Sequence, residues 1–254
     1  MDFFTSILNT VGSGLSAYIL SSRIRDPLTR PNTLAGLQMA ESGAVPFLTK
    51  LKERAAAEGD TWLAQKLAIH AEDEKRHGQI FAHGLKQLGK QVKTAAEIKD
   101  SSSKSKSKAD RDNSFFGKFY RDYDPEDLKA ENIDWLVFMA STYILELDAS
   151  KDFVRMANAL PEEPQSRNLR LSILSVAADE TRHAAYLYEA MQRILPPAEV
   201  EELVTQWRKR KIDAMFAMVS SAFSDSSPRS LVKDGAPTEA ESQPELELVE
   251  TSTR

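Results

Sequence analysis

Glutamates and histidines that recur at helical spacing are the residues of this chain best suited to chemistry. Glu74 and His77 are three positions apart, as are Glu180 and His183, and residues at this spacing lie on one face of a helix. Two further helical patterns each have an apolar seam that a single glutamate interrupts. Carboxylates and imidazoles in such positions are ligands for divalent metal ions. The six candidate metal ligands are Glu41, Glu74, His77, Glu146, Glu180 and His183.

Four long amphipathic patterns must position these side chains, and proline and glycine residues divide them into two helical hairpins. In an antiparallel hairpin, residues equally far from the turn lie side by side, and each candidate ligand is about 13 to 15 residues, or roughly 21 Å, from its turn. The sequence therefore predicts an all-α protein, an antiparallel four-helix bundle with its ligands at one level. The helices are expected over about residues 33–57, 61–88, 124–160 and 166–195, and Pro196-Pro197 open a fifth, C-terminal helix that reaches about Phe223.

The buried carboxylates require compensating charge, because even one unpaired buried charge is strongly unfavourable. Two divalent cations would neutralise them, and the two imidazoles favour iron or manganese over magnesium or calcium. One glutamate from each of two helices and Glu-x-x-His from each of the other two is the ligand arrangement of ferritin-like di-iron sites.

Over roughly residues 32–195 the sequence resembles the ferritin-like di-iron carboxylate superfamily, which includes the rubrerythrins. Both motifs have the longer form Asp-Glu-x-Arg-His, at 73–77 and 179–183, which is similar to the form in di-iron oxygenases and acyl desaturases. The resemblance implies a ferritin-like fold, two iron ions with manganese tolerated, and oxidation of a small or acyl-type organic substrate by dioxygen or peroxide. Since the chain has no cysteine and no nucleotide-binding glycine motif, a separate electron donor such as a ferredoxin or reductase is expected.

The resemblance also implies roles for residues beside the ligands. Metal-bound histidines usually donate their other ring N–H to a carboxylate. The aspartate of each motif is therefore expected to serve the histidine of the opposite motif, Asp73 with His183 and Asp179 with His77. The arginine of each motif either balances these aspartates or forms an ordinary surface ion pair. The arginines concerned are Arg76 and Arg182.

His70 and Tyr143 are further candidates for the site. His70 lies one turn before Glu74, and it could be an additional ligand, a proton donor or an interior histidine with satisfied hydrogen bonds. Tyr143 lies one turn before Glu146, where it could relay electrons, hydrogen-bond a ligand or pack in the core. In the second hairpin, Val176 stands at the position that corresponds to His70.

Three other activities are compatible with these motifs. A ferroxidase or iron-storage protein uses similar ligands, and a rubrerythrin-like peroxidase needs no cysteine in this domain. A tRNA-modifying hydroxylase would need a basic surface, for which residues 208–211 are the candidate; otherwise this basic run is a solvated helix face. We expect an oxidase or oxygenase, because the segments added to the bundle exceed what a storage cage needs.

Composition limits the remaining possibilities. The chain has 254 residues, a formal net charge of −5 and no cysteine, which excludes disulfides, cysteine-ligated clusters and thiol nucleophiles. No nucleic-acid partner is expected, because the chain as a whole is not basic. The sequence also has no run of about 20 apolar residues, so a cytoplasmic location is expected.

Segments outside the bundle complete the predicted organisation, and none shows the alternation typical of a strand. Residues 1–26 predict an amphipathic helix that packs on the bundle or on a second subunit of a homodimer, or that contacts a membrane surface through residues 1–22. The bundle is expected over residues 31–223, with the Ser/Lys-rich run 97–113 as a flexible linker. Residues 224–254 are expected to be a disordered tail.

Overall fold

The computed structural model describes residues 18–100, 114–224 and 230–235, and within these ranges the chain is mostly helical. This agrees with the predicted all-α class. A helical segment over residues 18–25 has no number here, and the other elements are numbered in chain order. They are α1 (Arg30–Ala57), α2 (Thr61–Gln87), β1 (Lys90–Val92), α3 (Ala95–Asp100), α4 (Phe115–Phe119), α5 (Trp135–Ala159), α6 (Pro164–Gln192), α7 (Pro197–Ser224) and β2 (Val232–Asp234).

α1 and α2 form the first hairpin, and local residues set its ends. Pro31 fits the first turn of α1, because the amide that proline lacks has no helical acceptor there. The connecting turn uses Gly59 at a φ of +85°, a conformation that favours glycine. Asp60 then caps α2 by accepting a hydrogen bond from the backbone amide of Leu63 (2.9 Å). Both helices begin and end within one turn of their predicted positions.

α5 and α6 form the second hairpin, but α5 begins at Trp135 rather than near Asp124. Asp124 accepts a hydrogen bond from the amide of Glu126 (2.9 Å) within a turn. The helix cap is instead Asp134, which accepts from the amide of Leu136 (2.9 Å). The predicted start was wrong because an Asp-Pro pair favours the beginning of a turn as well as that of a helix.

α5 starts where α1 ends, so the connection between the hairpins runs the length of the helices. The indole N–H of Trp135 donates to Glu58 (2.7 Å), and the guanidinium of Arg54 lies 4.4 Å from the centre of the Trp135 ring. At the opposite end, Leu169 near the start of α6 packs against Gly84 near the end of α2. Neighbouring helices are therefore antiparallel: α1 to α2, α5 to α6, and α2 to α6.

Apolar side chains of α1, α2, α5 and α6 form two clusters, one on each side of the candidate ligands. The ligand level is thereby enclosed between apolar layers, where electrostatic interactions are stronger than in water. The first cluster includes Leu51, Leu67, Phe138 and Leu187, and the second includes Leu34, Phe81, Phe153 and Ile173.

α7 packs against α4 and α5, and a buried group of charges fixes it in place. The ammonium of Lys211 donates to Asp148 (2.7 Å), and Arg208 lies 3.7 Å from the other oxygen of the same carboxylate. Both basic side chains are largely buried. Two residues of the basic run 208–211, Arg208 and Lys211, therefore make buried contacts within the chain, whereas Lys209 is exposed to solvent.

Two short strands form an antiparallel pair that the sequence did not predict. β2 pairs with β1, and the amide of Leu231 beside β2 donates to Asn32 on α1 (2.5 Å). Strands this short show no alternation that a sequence pattern could detect. Residues 230–235 therefore pack on the bundle, which corrects the predicted disordered tail, and residues 97–100 belong to α3 rather than to a linker. The other residues of the predicted linker, and those of the tail after Ser224, lie outside the described ranges.

Part of the predicted N-terminal helix is present at residues 18–25, and residues 1–17 lie outside the described ranges. Ile24 is fully buried, and Leu20 packs against the second apolar cluster. This part of the segment packs on the bundle, which is one of the expected alternatives. Among the described residues, no helix is both long enough and apolar enough to cross a membrane. A membrane contact through residues 1–22 stays a prediction.

Candidate metal centre

The six predicted ligands lie together at one level between the long helices, and His70 joins them. Their donor atoms form two overlapping groups, and within each group the atoms lie within 4.8 Å of one another. Glu74 belongs to both groups. Buried carboxylates and imidazoles at such distances could bind metal ions. Group A consists of Glu41, Glu74, His77 and Glu180, and group B consists of His70, Glu74, Glu146 and His183.

Close packing of α1 against α2 brings two ligands of group A together. Oε2 of Glu41 lies 3.7 Å from Nδ1 of His77. The residues that follow them, Ser42 and Gly78, face each other, and a β-carbon at position 78 would overlap with the Ser42 hydroxyl. Gly78 therefore permits the helix separation at which Glu41 and His77 meet.

The two Glu-x-x-His motifs face each other across the contact between α2 and α6. Nδ1 of His77 lies 3.2 Å from Oε1 of Glu180. Nδ1 of His183 lies 3.7 Å from Oε1 of Glu74 and 3.5 Å from Oε2 of Glu180. His77 Nδ1, His183 Nδ1 and Glu180 Oε1 are buried without a hydrogen-bond partner among the described residues. Because buried polar atoms are normally hydrogen-bonded, their convergence fits a site for cations.

Each of these histidines is held by the aspartate of the opposite motif. Nε2 of His77 lies 3.1 Å from Asp179, and Nε2 of His183 lies 3.2 Å from Asp73. These are the pairs that the sequence predicted. When Nε2–H donates to a carboxylate, Nδ1 carries no proton and its lone pair faces the ligand groups, which is the form that binds a metal ion.

The two motif arginines each contact both aspartates. Arg76 lies 3.3 Å from Asp73 and Arg182 lies 3.4 Å from it, and both also pair with Asp179. Burial alone would raise the pKa of Asp73, but the hydrogen bond and charge of His183, together with Arg76, lower this pKa to about 2. The contacts agree with the interpretation in which the arginines balance the negative charge of the aspartates. Asp73 therefore stays in the ionised form that accepts a hydrogen bond from the histidine N–H.

Without cations, burial and the neighbouring carboxylates oppose the ionisation of Glu74 and Glu180. Burial, a hydrogen bond with Glu41 and the charges of Glu146 and Glu180 raise the pKa of Glu74 far above its usual range. Although burial lowers the pKa of His183, its hydrogen bond with Asp73 and the nearby carboxylates of Glu146 and Glu180 raise this pKa to about 11. Cations would take the place of these protons. Metal binding here would therefore release protons, and acid would weaken it.

A tyrosine that the sequence analysis missed contacts His70. Nδ1 of His70 lies 2.8 Å from the hydroxyl of Tyr186, and Nε2 lies 3.3 Å from Glu74 and 3.4 Å from Glu146. Tyr186 comes three residues after His183, on the same face of α6. This spacing was a signal that could have identified Tyr186.

Tyr143, the other tyrosine considered for the site, packs against Tyr188. Its ring centre is 5.3 Å from that of Tyr188, and burial raises the pKa of its hydroxyl. The observed contact agrees with the packing alternative, and the position of Tyr143 does not support a role as a partner of a ligand.

A predominantly apolar cavity of about 820 Å³ reaches the ligands. Glu41, Glu74, Glu146 and Glu180 form part of its wall. The rest of the wall comes from the long helices and from three peripheral elements, the 18–25 segment, α4 and α7. A space of this volume and character suits a small organic molecule.

Comparisons with known proteins add no further assignment. No family model matches the chain, and searches of curated proteins and of solved structures find no significant match. The resemblance to the ferritin-like superfamily therefore rests on the two motifs and on the arrangement of the residues around them.

Proposed function

We propose that this protein is a non-haem di-iron oxidase or oxygenase that uses dioxygen or peroxide to oxidise an organic substrate in the adjoining cavity. The main support is the pair of overlapping ligand groups, with three buried donor atoms that have no hydrogen-bond partner in the described part of the chain and an apolar space beside them. The antiparallel long helices, joined by one connection that runs their full length, support a ferritin-like bundle.

The residues of the chain have separate tasks in this proposal. Glu74 belongs to both groups, and the two oxygens of Glu180 face His77 of group A and His183 of group B, so both residues would help to hold the ions. Each Asp–His pair joins α2 to α6 and directs the Nδ1 atom of its histidine toward the ligand groups. Bound ferrous ions would supply electrons for the reduction of dioxygen. The apolar layers on both sides exclude water, which limits side reactions.

The cavity favours substrate oxidation over iron storage. A storage protein needs a path for iron only, whereas an apolar space of about 820 Å³ suits a small or acyl-type organic molecule. Because the chain has no cysteine, repeated turnover needs a separate electron donor such as a ferredoxin or reductase. Manganese is an alternative occupant, since oxygen and nitrogen ligands accept either metal.

Anaerobic loading with ferrous iron tests the two-ion site. We expect about two ions per chain after desalting, measured by elemental analysis. Glu74→Gln should lose most of this iron, because Glu74 belongs to both groups. Glu72→Gln, an exposed neighbour on the same helix, is the control and should retain it. Wild-type protein that retains no metal would contradict the proposal, and uptake of hundreds of ions would indicate storage.

Single-turnover oxidation tests the chemistry. The ferrous-loaded protein is mixed with oxygenated buffer and a panel of long-chain fatty acids, fatty aldehydes and aromatic amines, and products are identified by mass spectrometry. We expect an oxidised product with wild-type protein and none with Glu74→Gln. Ala44 lines the cavity, and Ala44→Phe places a larger side chain there. This variant should still bind iron but form no product. Oxygen consumption that leaves every organic compound unchanged would favour a ferroxidase.

A further inference from the structure

The two hairpins place the same motifs around the site, but they differ at two positions whose polar residues contact each other. Each hairpin contributes a lone glutamate and an Asp-Glu-x-Arg-His motif. Four residues before the motif glutamate, however, α2 has His70 and α6 has Val176. Six residues after it, α6 has Tyr186 and α2 has Ile80. The polar pair His70–Tyr186 therefore lies at group B, and its apolar counterparts Val176 and Ile80 belong to the second apolar cluster.

We propose that His70 is an additional metal ligand and that the two ions of the proposed site therefore occupy chemically different positions. This inference rests on the proposed two-metal site. Position A, formed by group A, offers one imidazole. Position B, formed by group B, offers two.

The location of His70 supports this role. Its Nε2 atom lies 3.3 Å from Oε1 of Glu74 and 3.4 Å from Oε1 of Glu146. Its ring stacks on that of His183 with 3.8 Å between ring centres. An ion bound by the other members of group B is therefore within reach of His70 Nε2.

Tyr186 sets the orientation of the His70 ring. When neutral His70 binds an ion through Nε2, Nδ1 holds the proton and donates it to the Tyr186 oxygen, 2.8 Å away. The motif histidines use the opposite nitrogen, because their Nε2 atoms face the aspartates. His70 thus enters group B with a different ring nitrogen and a neutral partner.

The additional imidazole gives the two positions different metal preferences. Imidazole nitrogen suits iron, whereas carboxylate oxygen suits manganese. Position B should therefore bind the first ion and select iron over manganese. Position A, which offers one imidazole, should bind the second ion and discriminate less.

Anaerobic titration of the full chain with ferrous iron, against a competing chelating indicator, measures both affinities. Wild-type protein should show two unequal steps. His70→Val, which introduces the residue found at the equivalent position of α6, should weaken the tighter step by at least about 100-fold. His83→Val is the control, because His83 is exposed on the same helix, and it should change neither step.

A mixture of equal ferrous and manganous ions gives a second readout. The first equivalent bound by wild-type protein should be mostly iron, and His70→Val should reduce this excess. Val176→His, which adds an imidazole at position A, should bring the two steps closer together.

Two equal steps in wild-type protein, or unequal steps that His70→Val leaves unchanged, would overturn the role of His70 while the two-metal site stands. Failure of the wild-type protein to bind any ion would overturn the proposed site itself. Circular dichroism of each variant separates loss of a ligand from loss of folding.

Discussion

At the scale of single residues, the site depends on side chains whose polar atoms have different partners. His77 directs Nε2 to Asp179 and Nδ1 to Glu180. Asp179 also pairs with Arg76 and Arg182, so one carboxylate orients a histidine and anchors two arginines. These contacts therefore orient His77 before any ion binds.

Asp179→Asn tests this orientation. The amide keeps the shape of the side chain but removes the negative charge that holds the histidine and the arginines. We expect ferrous affinity to fall by about 10- to 100-fold with the fold retained, measured by chelator competition and circular dichroism. Glu53→Gln, an exposed substitution on α1, should leave affinity unchanged. Equal affinities for Asp179→Asn and wild-type protein would show that the pair supports only the fold.

Sequence spacing identified most of the site, because helical periodicity is a local property. It placed the six candidate ligands at one level, and the family resemblance implied the pairing of each aspartate with the opposite histidine. It could not choose among the roles of His70, whose partner Tyr186 is 116 positions away in the chain. Only the packing of α2 against α6 brings those two residues together.

At the scale of elements, the helices were predictable where their ends have strong local signals. Gly59 and Asp60 determine the first turn, and both act within a few residues. The start of α5 was predicted wrongly, because Asp124 and Asp134 both have the chemistry of a cap. Which of them begins a helix depends on contacts with α1, such as that between Trp135 and Glu58.

The contact between Gly78 and Ser42 provides a test of helix separation. Alanine favours helices more than glycine does, by about 1 kcal/mol, yet Gly78→Ala should destabilise the protein by about 1 to 3 kcal/mol because the new β-carbon overlaps with Ser42. Ser42→Ala should restore part of this loss in the double variant. Urea denaturation measures each free energy of unfolding.

Gly43→Ala is the matched control for this test, because no atom lies within 4 Å of a β-carbon added there. It should stabilise the protein by about 1 kcal/mol. If Gly78→Ala has the same effect as Gly43→Ala, the close approach of the two helices does not depend on glycine at position 78.

At the scale of the whole molecule, a late segment of the chain returns to the first long helix. The amide of Leu231 bonds to Asn32, 199 positions earlier, and Lys233 pairs with Glu97 (2.7 Å). No sequence pattern predicts contacts over such distances, and the acidic, Ser/Pro-rich composition of residues 224–254 favours disorder. This is why the location of residues 230–235 was missed.

Leu231→Ser tests whether this segment stabilises the fold. Leu231 is half-buried against the second apolar cluster, so its removal should lower the free energy of unfolding by about 1 kcal/mol. Leu171→Ser, which removes an exposed leucine of α6, should have almost no effect. Equal results for the two variants in thermal denaturation would mean that the C-terminal segment lies on the bundle without stabilising it.

The crossed pairs between α2 and α6 also determine how the two hairpins align along their axes. Apolar burial is non-directional, so the apolar layers alone would tolerate a slide of one helical turn, about 5.4 Å. Such a slide would separate His77 from Asp179 and His183 from Asp73, and it would leave buried charges without partners. The two polar pairs therefore permit one axial register and exclude its neighbours.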